Sequence, residues 1–215
     1  GKDLIITIDS ELQEYGELLM SNKKGAIVAI EPSTGELLSL VSAPSYNPNL
    51  LVGRERSKNY FELYKDSIYK PLIDKGLLST FPAGSPFKVI VGLIALQENV
   101  INDKNTILCG GEYIYGRNKK SMKCHCGGGY RNIYNAISES CNSYFADAYR
   151  KTISKDNNIS KNFDMWSEGV KSFGLGNYLN NDLPIGKKGM IPTSEFYDRW
   201  YPDFRWGPTT NPVSY

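Results

Sequence analysis

The stretch "STFPAGSPFKVIVGLIALQEN", residues 79–99, constrains the fold more than any other part of the chain. After Ser85 it is apolar on nearly every helical face, through Phe87, Val89, Ile90, Val91, Leu93, Ile94 and Leu96. An apolar run of this length, with Pro86 suited to a first helical position, predicts a helix from Ser85 to about Glu98 at the centre of a core. Ser85 then opens onto the interior.

Elsewhere the periodicity outlines a mixed chain. "TIDSELQEYGELLMSN" predicts a helix over Ser10–Met20, with Ser10 and Gln13 as a capping box and Leu12, Tyr15, Leu18 and Leu19 at helical spacing. "GAIVAIEPSTGELLSLVS" predicts an antiparallel hairpin with strands over about 25–42, turning at Glu31-Pro32-Ser33-Thr34-Gly35. Residues 46–78 carry loop signals at Asn47-Pro48 and Pro71, with short helices around Tyr60 to Tyr69. Asn132 to Ser138 and Ser143 to Lys151 read as helices broken at "ESCN", and Phe163 to Phe173 as another stopped by Gly174. From Gly174 to Tyr215 the chain is turn-rich.

At 215 residues the chain is long enough for one well-buried domain, or one domain with a subdomain. A formal charge of +2, spread without a basic block, argues against nucleic acid as a partner. No run approaches the roughly 18 apolar residues of a membrane span, and no charged-then-apolar leader opens the chain. "GKDLIITID" begins abruptly in strand-like alternation, as at a domain edge, which leaves room for an anchor in a longer parent protein. The 15 tyrosines and 3 tryptophans read as packing rather than a carbohydrate platform, with Trp200 and Trp206 as candidates for a cleft mouth.

A serine hydroxyl is a weak nucleophile until a base takes its proton, and a lysine serves as that base only when held neutral. Ser85 and Lys88 are three residues apart and share a helix face, and the helix N-terminus favours oxyanion charge beside Ser85. Serine is equally a preferred N-cap, and Ser-x-x-Lys also occurs at Ser21 to Lys24 and Ser67 to Lys70. In "AISESCNSYF" Ser140 and Asn142 lie at a break between helices, where side chains project into a cleft. Ser-x-Asn alone is also common, as at Ser45 to Asn47 and Ser57 to Asn59.

"PAGSPFK" followed by "AISESCNSYF" resembles the active-site serine penicillin-binding proteins, which combine Ser-x-x-Lys with a Ser-x-Asn type motif. "LIITIDSELQ", "GAIVAIEPSTGELLSLVSAPSYNPN", "FGLG", "DLP" and "GMIPTSEFY" extend the likeness to class B transpeptidases, especially the elongation-type penicillin-binding protein 2 branch. The resemblance implies an α/β (α+β) transpeptidase domain of the penicillin-binding protein and serine β-lactamase type, an antiparallel sheet with helices. The hairpin over about 25–42 contributes strands, and residues 58–175 form a helical active-site subdomain.

The resemblance also implies roles. Ser85 attacks the D-alanyl-D-alanine carbonyl of a peptidoglycan stem peptide, Lys88 accepts its proton, Ser140 relays a proton to the leaving D-alanine, and Asn142 holds the substrate amide. The backbone N–H of Ser85 is half of the oxyanion hole. An acceptor amine then releases the acyl-enzyme, and β-lactam antibiotics trap it. No cofactor is needed for catalysis. The implied setting is the periplasm, in a membrane cell-elongation complex that sets cell shape, with the parent anchored in the cytoplasmic membrane by an N-terminal helix outside these residues. A β-lactam sensor or a serine β-lactamase of the same fold is the alternative, and the fate of the acyl-enzyme separates the three.

Two departures stand out. The family's third motif, Lys-Thr-Gly or Lys-Ser-Gly, is absent, and "KKG" at Lys187 to Gly189 does not replace it. The chain is therefore expected to lack the C-terminal strands of the domain, to be inactive or nearly so by itself, and, with a sheet edge exposed, to self-associate or be marginally stable. Pro86 stands where the family usually has threonine.

All 4 cysteines, Cys109, Cys124, Cys126 and Cys141, fall close together, with His125 inside "KCHCGGG". Such a set suits structural zinc, and some relatives are known to bind zinc beside the active site through residues corresponding to Cys109, Cys124 and Cys141. The remaining ligand is Cys126 or, alternatively, His125. Disulfides, for instance Cys109 with Cys124, or buried thiols are the other readings. The lone His125 and the lack of a Gly-x-Ser-x-Gly elbow argue against a Ser-His-Asp hydrolase.

Overall fold

The computed structural model describes residues 3–116, 118–178, 182, 183, 185–202, 206 and 207. Much of the closing stretch "GPTTNPVSY" and Pro184 of "DLP" lie outside the described residues. The chain divides into two compact units, one of Gly1–Thr80 with Asn181–Lys187 and one of Phe81–Asn180 with Lys188–Tyr215. Residues 58–80 fall in the first of these units and residues 81–175 in the second.

In the first unit, helix α1 (Ser10–Leu19) precedes strands β1 (Gly25–Ile30) and β2 (Leu37–Ala43), which pair antiparallel as the alternation predicts. The cap differs from the expected box. Asp9, not Ser10, is the N-cap and accepts the Leu12 N–H at 2.9 Å. Gln13 bonds the outer edge of β2 instead, accepting from Leu40 N–H at 2.8 Å and donating to its carbonyl at 3.1 Å. The stripe of Leu12, Tyr15, Leu18 and Leu19 is exposed, because α1 meets the sheet through Gly16, where a Cβ would lie 2.8 Å from Val41 Cγ2. Between β2 and the end of this segment lie a 3₁₀ turn at Pro48–Leu51, helix α2 (Arg56–Lys65) and a single turn, α3 (Lys75–Leu78). Helix α2 starts earlier than predicted and stops before Asp66, whose Oδ1 takes the N–H groups of Ile68 and Tyr69.

The second unit is built on α4 (Phe87–Gln97), α6 (Asn142–Ile153) and α7 (Ile159–Lys171). Helix α4 buries Val91, Gly92, Ile94 and Ala95 but leaves Val89 and Leu93 45% and 46% exposed, so it is not covered on every face as expected. Gly92 lets α6 approach, since a Cβ there would lie 3.3 Å from Phe145 Cε1. Tyr144, Phe145, Ile153, Phe163, Trp166 and Val170 complete the core. Helix α5 (Ile133–Ser138) is as predicted.

Four short strands were not foreseen: β3 (Ile107–Cys109) pairs antiparallel with β6 (Gly129–Arg131), and β4 (Glu112–Tyr115) with β5 (Lys120–Lys123). Strands of three or four residues carry no readable period. Helix α8 (Ser194–Trp200), capped by Thr193, was also unforeseen. The described fold is α+β with antiparallel pairing throughout, and no described helix is long and apolar enough to cross a membrane.

Candidate active site

Ser85 lies two residues ahead of the first residue of α4, Phe87, and is not its N-cap. Pro86 occupies that position without a side-chain cap bond, and the Ser85 carbonyl accepts the Lys88 N–H at 3.0 Å. The Ser85 hydroxyl is therefore free for other partners. Lys88 Nζ lies 3.2 Å from Ser85 Oγ and 2.8 Å from both the carbonyl oxygen and Oγ of Ser140, and it also donates to Asn142 Oδ1. Ser140 Oγ donates to Ser85 Oγ at 2.9 Å. The structure thus gathers all four predicted residues into one cluster.

The acceptors around Lys88 decide its useful form. The Ser140 carbonyl and Asn142 Oδ1 can only accept, whereas the two hydroxyls can donate or accept. A neutral amine has two N–H groups for the two carbonyl oxygens and one lone pair left for a hydroxyl proton. Lys88 is only 6% exposed, and burial, the largest influence, lowers its pKa from 10.5 against a smaller upward pull from Cys124, Cys141 and Cys126. Asn142 is held in the required orientation, for its Nδ2 donates to the Lys123 carbonyl at 2.8 Å. The role of that carbonyl has no sequence signal, since any residue supplies one.

Ser140 sits where α5 ends. Its N–H donates to Ile137 O at 3.1 Å and the Cys141 N–H to Ala136 O at 2.8 Å, the paired bonds of a Schellman C-cap. The left-handed position of that cap usually holds glycine, but here it is Ser140, at φ +52°. The chain reverses there into α6, which carries Asn142 on its first turn.

The four cysteines converge beside this turn. Their sulfurs lie within 4.8 Å of one another, all are buried, and none forms a disulfide. The closest approaches are 3.2 Å for Cys124 to Cys126, 3.3 Å for Cys126 to Cys109 and 3.6 Å for Cys124 to Cys141. A tetrahedral zinc with bonds of about 2.3 Å would space its sulfurs roughly 3.8 Å apart, so the set fits with small adjustments. Burial alone would raise Cys124, but backbone N–H groups of Ser143 and Cys126 hold it down at about 6, while burial pushes Cys126 and Cys141 up. Cys124 Sγ also accepts the Asn142 N–H at 3.1 Å, acting as the cap that Cys141 does not supply. His125, the alternative ligand, is exposed and is not among the four residues whose ligand atoms cluster.

Neither tryptophan joins the serine cluster. Trp200 is exposed, and Trp206 lines a cavity of about 770 Å³ with Asp156, Asp198 and Tyr201.

The penicillin binding protein transpeptidase domain model matches residues 25–214. The peptidoglycan D,D-transpeptidase MrdA of Escherichia coli K12 is 33% identical over 208 residues, covering 94% of this chain and 31% of that protein. Pseudomonas aeruginosa PBP2 in complex with WCK 5153 is similar in structure, with a TM-score of 0.81, 32% identity and coverage of 97% of this chain and 45% of that one. The complex between PBP2 and MreC from Helicobacter pylori gives a TM-score of 0.75 at 30% identity, covering 92% of this chain and 35% of that one. The chain thus spans about a third of the length of the MrdA relative.

Proposed function

The chain belongs to the penicillin-binding protein transpeptidase family, and from that premise we propose that it carries the acylation machinery of a peptidoglycan D,D-transpeptidase of the elongation type. The observation that carries the reading is Lys88 Nζ within bonding reach of Ser85, Ser140 and Asn142 at once.

In this reading Ser85 Oγ attacks the carbonyl of the penultimate D-alanine while its proton passes to the neutral Lys88 amine. The negative charge forming on the carbonyl oxygen lies near the Ser85 N–H at the start of α4. As the peptide C–N bond breaks, the proton moves from Lys88 through the Ser140 hydroxyl to the departing D-alanine amine. This leaves an ester on Ser85. The amine of a second stem peptide then attacks the ester, giving up its proton along the same path and freeing Ser85 as the cross-link forms. β-Lactams mimic the first step and stall at the ester.

Cys109, Cys124, Cys126 and Cys141 would hold a structural zinc ion. The ion supplies positive charge that lets neighbouring thiolates coexist and adds nothing to the acyl transfer. The thiolates in turn accept N–H groups at the start of α6 and so hold Asn142 in register. The substrate places the site on the wall side of the cytoplasmic membrane, in the periplasm, where a cell-elongation assembly that sets cell shape is the expected company. The MreC complex of the H. pylori relative supports that partner class.

The test is labelled penicillin on the whole protein with mass mapping of the adduct. Label on Ser85 followed by transfer to an amine supports a transpeptidase; no label on Ser85 ends the reading.

A further inference from the structure

Ser140 must keep a left-handed backbone and hold its hydroxyl between two partners, yet its own side chain makes no covalent or ionic anchor. The residue before it does. Glu139 Oε2 accepts from both Nε and Nη2 of Arg131, each at 2.8 Å. The Arg131 side chain is 14% exposed and Nη1 also donates to the Tyr130 carbonyl at 3.0 Å, so the guanidinium is fixed at three nitrogens. Gly129 makes room for it, because a Cβ there would lie 3.3 Å from Arg131 Nη1. Arg131 belongs to β6, paired with β3 through Ile107, so the anchor is a sheet and not a loop.

We propose that the Arg131 and Glu139 ion pair is a positioning device for the acylation step: it ties the end of α5 to β6 and thereby holds Ser140 Oγ against Ser85 and Lys88. The physical case rests on geometry. Glu139 is the C-cap of α5, with φ −97° and ψ 3°, and the next residue already turns left-handed. Rotation of the Glu139 peptide moves the Ser140 carbonyl and hydroxyl together, and both are partners of Lys88 Nζ. With Arg131 14% and Glu139 37% exposed, a carboxylate oxygen held by two guanidinium nitrogens resists that rotation better than a single fully exposed contact. Neither residue reaches Ser85, so the pair acts through Ser140 and not on substrate.

This inference rests on the acyl-enzyme reading. The experiment measures acylation of the whole protein by labelled penicillin over a range of concentrations, for wild type, Arg131→Ala, Glu139→Ala and the double variant. Each single variant is expected to lower the saturating acylation rate about 10-fold, the scale of slight misplacement of a reacting group, with little change in the half-saturating concentration. The double variant is expected to lose no more than either single one, since the two residues act as a unit. Wild-type rates in the single variants, additive losses, or losses that appear only together with a lower melting temperature would each overturn the proposal. Wild-type protein that takes no label on Ser85 removes the acyl-enzyme reading and this inference with it, which distinguishes the two failures.

Discussion

Ser140 Oγ lies 2.9 Å from Ser85 Oγ, a hydroxyl pair joined across 55 positions of the chain with Lys88 Nζ touching both. Serine at a left-handed helix end is the conformational price of that contact.

The first consequence concerns Ser140 itself. Ser140→Gly and Ser140→Ala both remove the hydroxyl, and both are expected to slow acylation by roughly 10²-fold or more. They differ only in Cβ at φ +52°, so the glycine variant is expected to be the more stable by about 1–2 kcal/mol. This is the reverse of the order inside a helix, where alanine is the more stable. Thermal or urea unfolding of the two variants checks it, and an alanine variant as stable as the glycine one would remove the strain argument.

Lys88→Arg keeps the positive charge and the donors but loses the lone pair, because guanidinium does not give up its proton in proteins. Acylation is expected to fall by about 10²–10⁴-fold, as for removal of a general base. Near-normal labelling of this variant would show that Lys88 is only a hydrogen-bond donor.

The pH dependence has a defined sign. Burial lowers the folded pKa of Lys88 below 10.5, and only the neutral amine accepts the Ser85 proton, so acylation should rise with pH and level off above that folded pKa. Between the folded pKa and 10.5 the unfolded chain binds more protons, so the Lys88 contribution to stability also rises with pH in that window. Asn142→Asp places a carboxylate beside Nζ and is expected to move the rising limb of the acylation profile up by roughly 1–3 pH units. An unmoved limb would mean that another group controls it.

The sulfur cluster makes a separate prediction. Purified protein should carry zinc at one ion per chain, with Cys109→Ser or Cys126→Ser losing most of it and His125→Ala keeping it. Chelation is expected to lower the melting temperature, since metal binding to a folded site adds to stability. Metal analysis by mass spectrometry settles the ligand set, and zinc lost on His125→Ala would restore the histidine to it.

The legible features are local ones. The α4 helix, the β1–β2 hairpin and helix α5 announce themselves through periodicity or alternation within one segment, and Ser85 and Lys88 share a face because three positions of a helix always do. The likeness of flanking segments added Ser140 and Asn142 to them. Local pattern misled where a contact overrode it: Gln13 left its expected cap for the backbone of Leu40, and the leucines of α1 stayed outside because Gly16 made the contact.

What the amino-acid order settled alone was therefore the helices and the hairpin with a readable repeat inside one segment, together with the types of reactive group available. Tertiary packing decided which of those groups meet. It brought Lys88 onto the Ser140 turn, set four sulfurs within 4.8 Å while leaving His125 outside, and closed Arg131 onto Glu139. Those choices depend on distances between segments, and a distance between segments is fixed by buried contacts that no single window of residues contains.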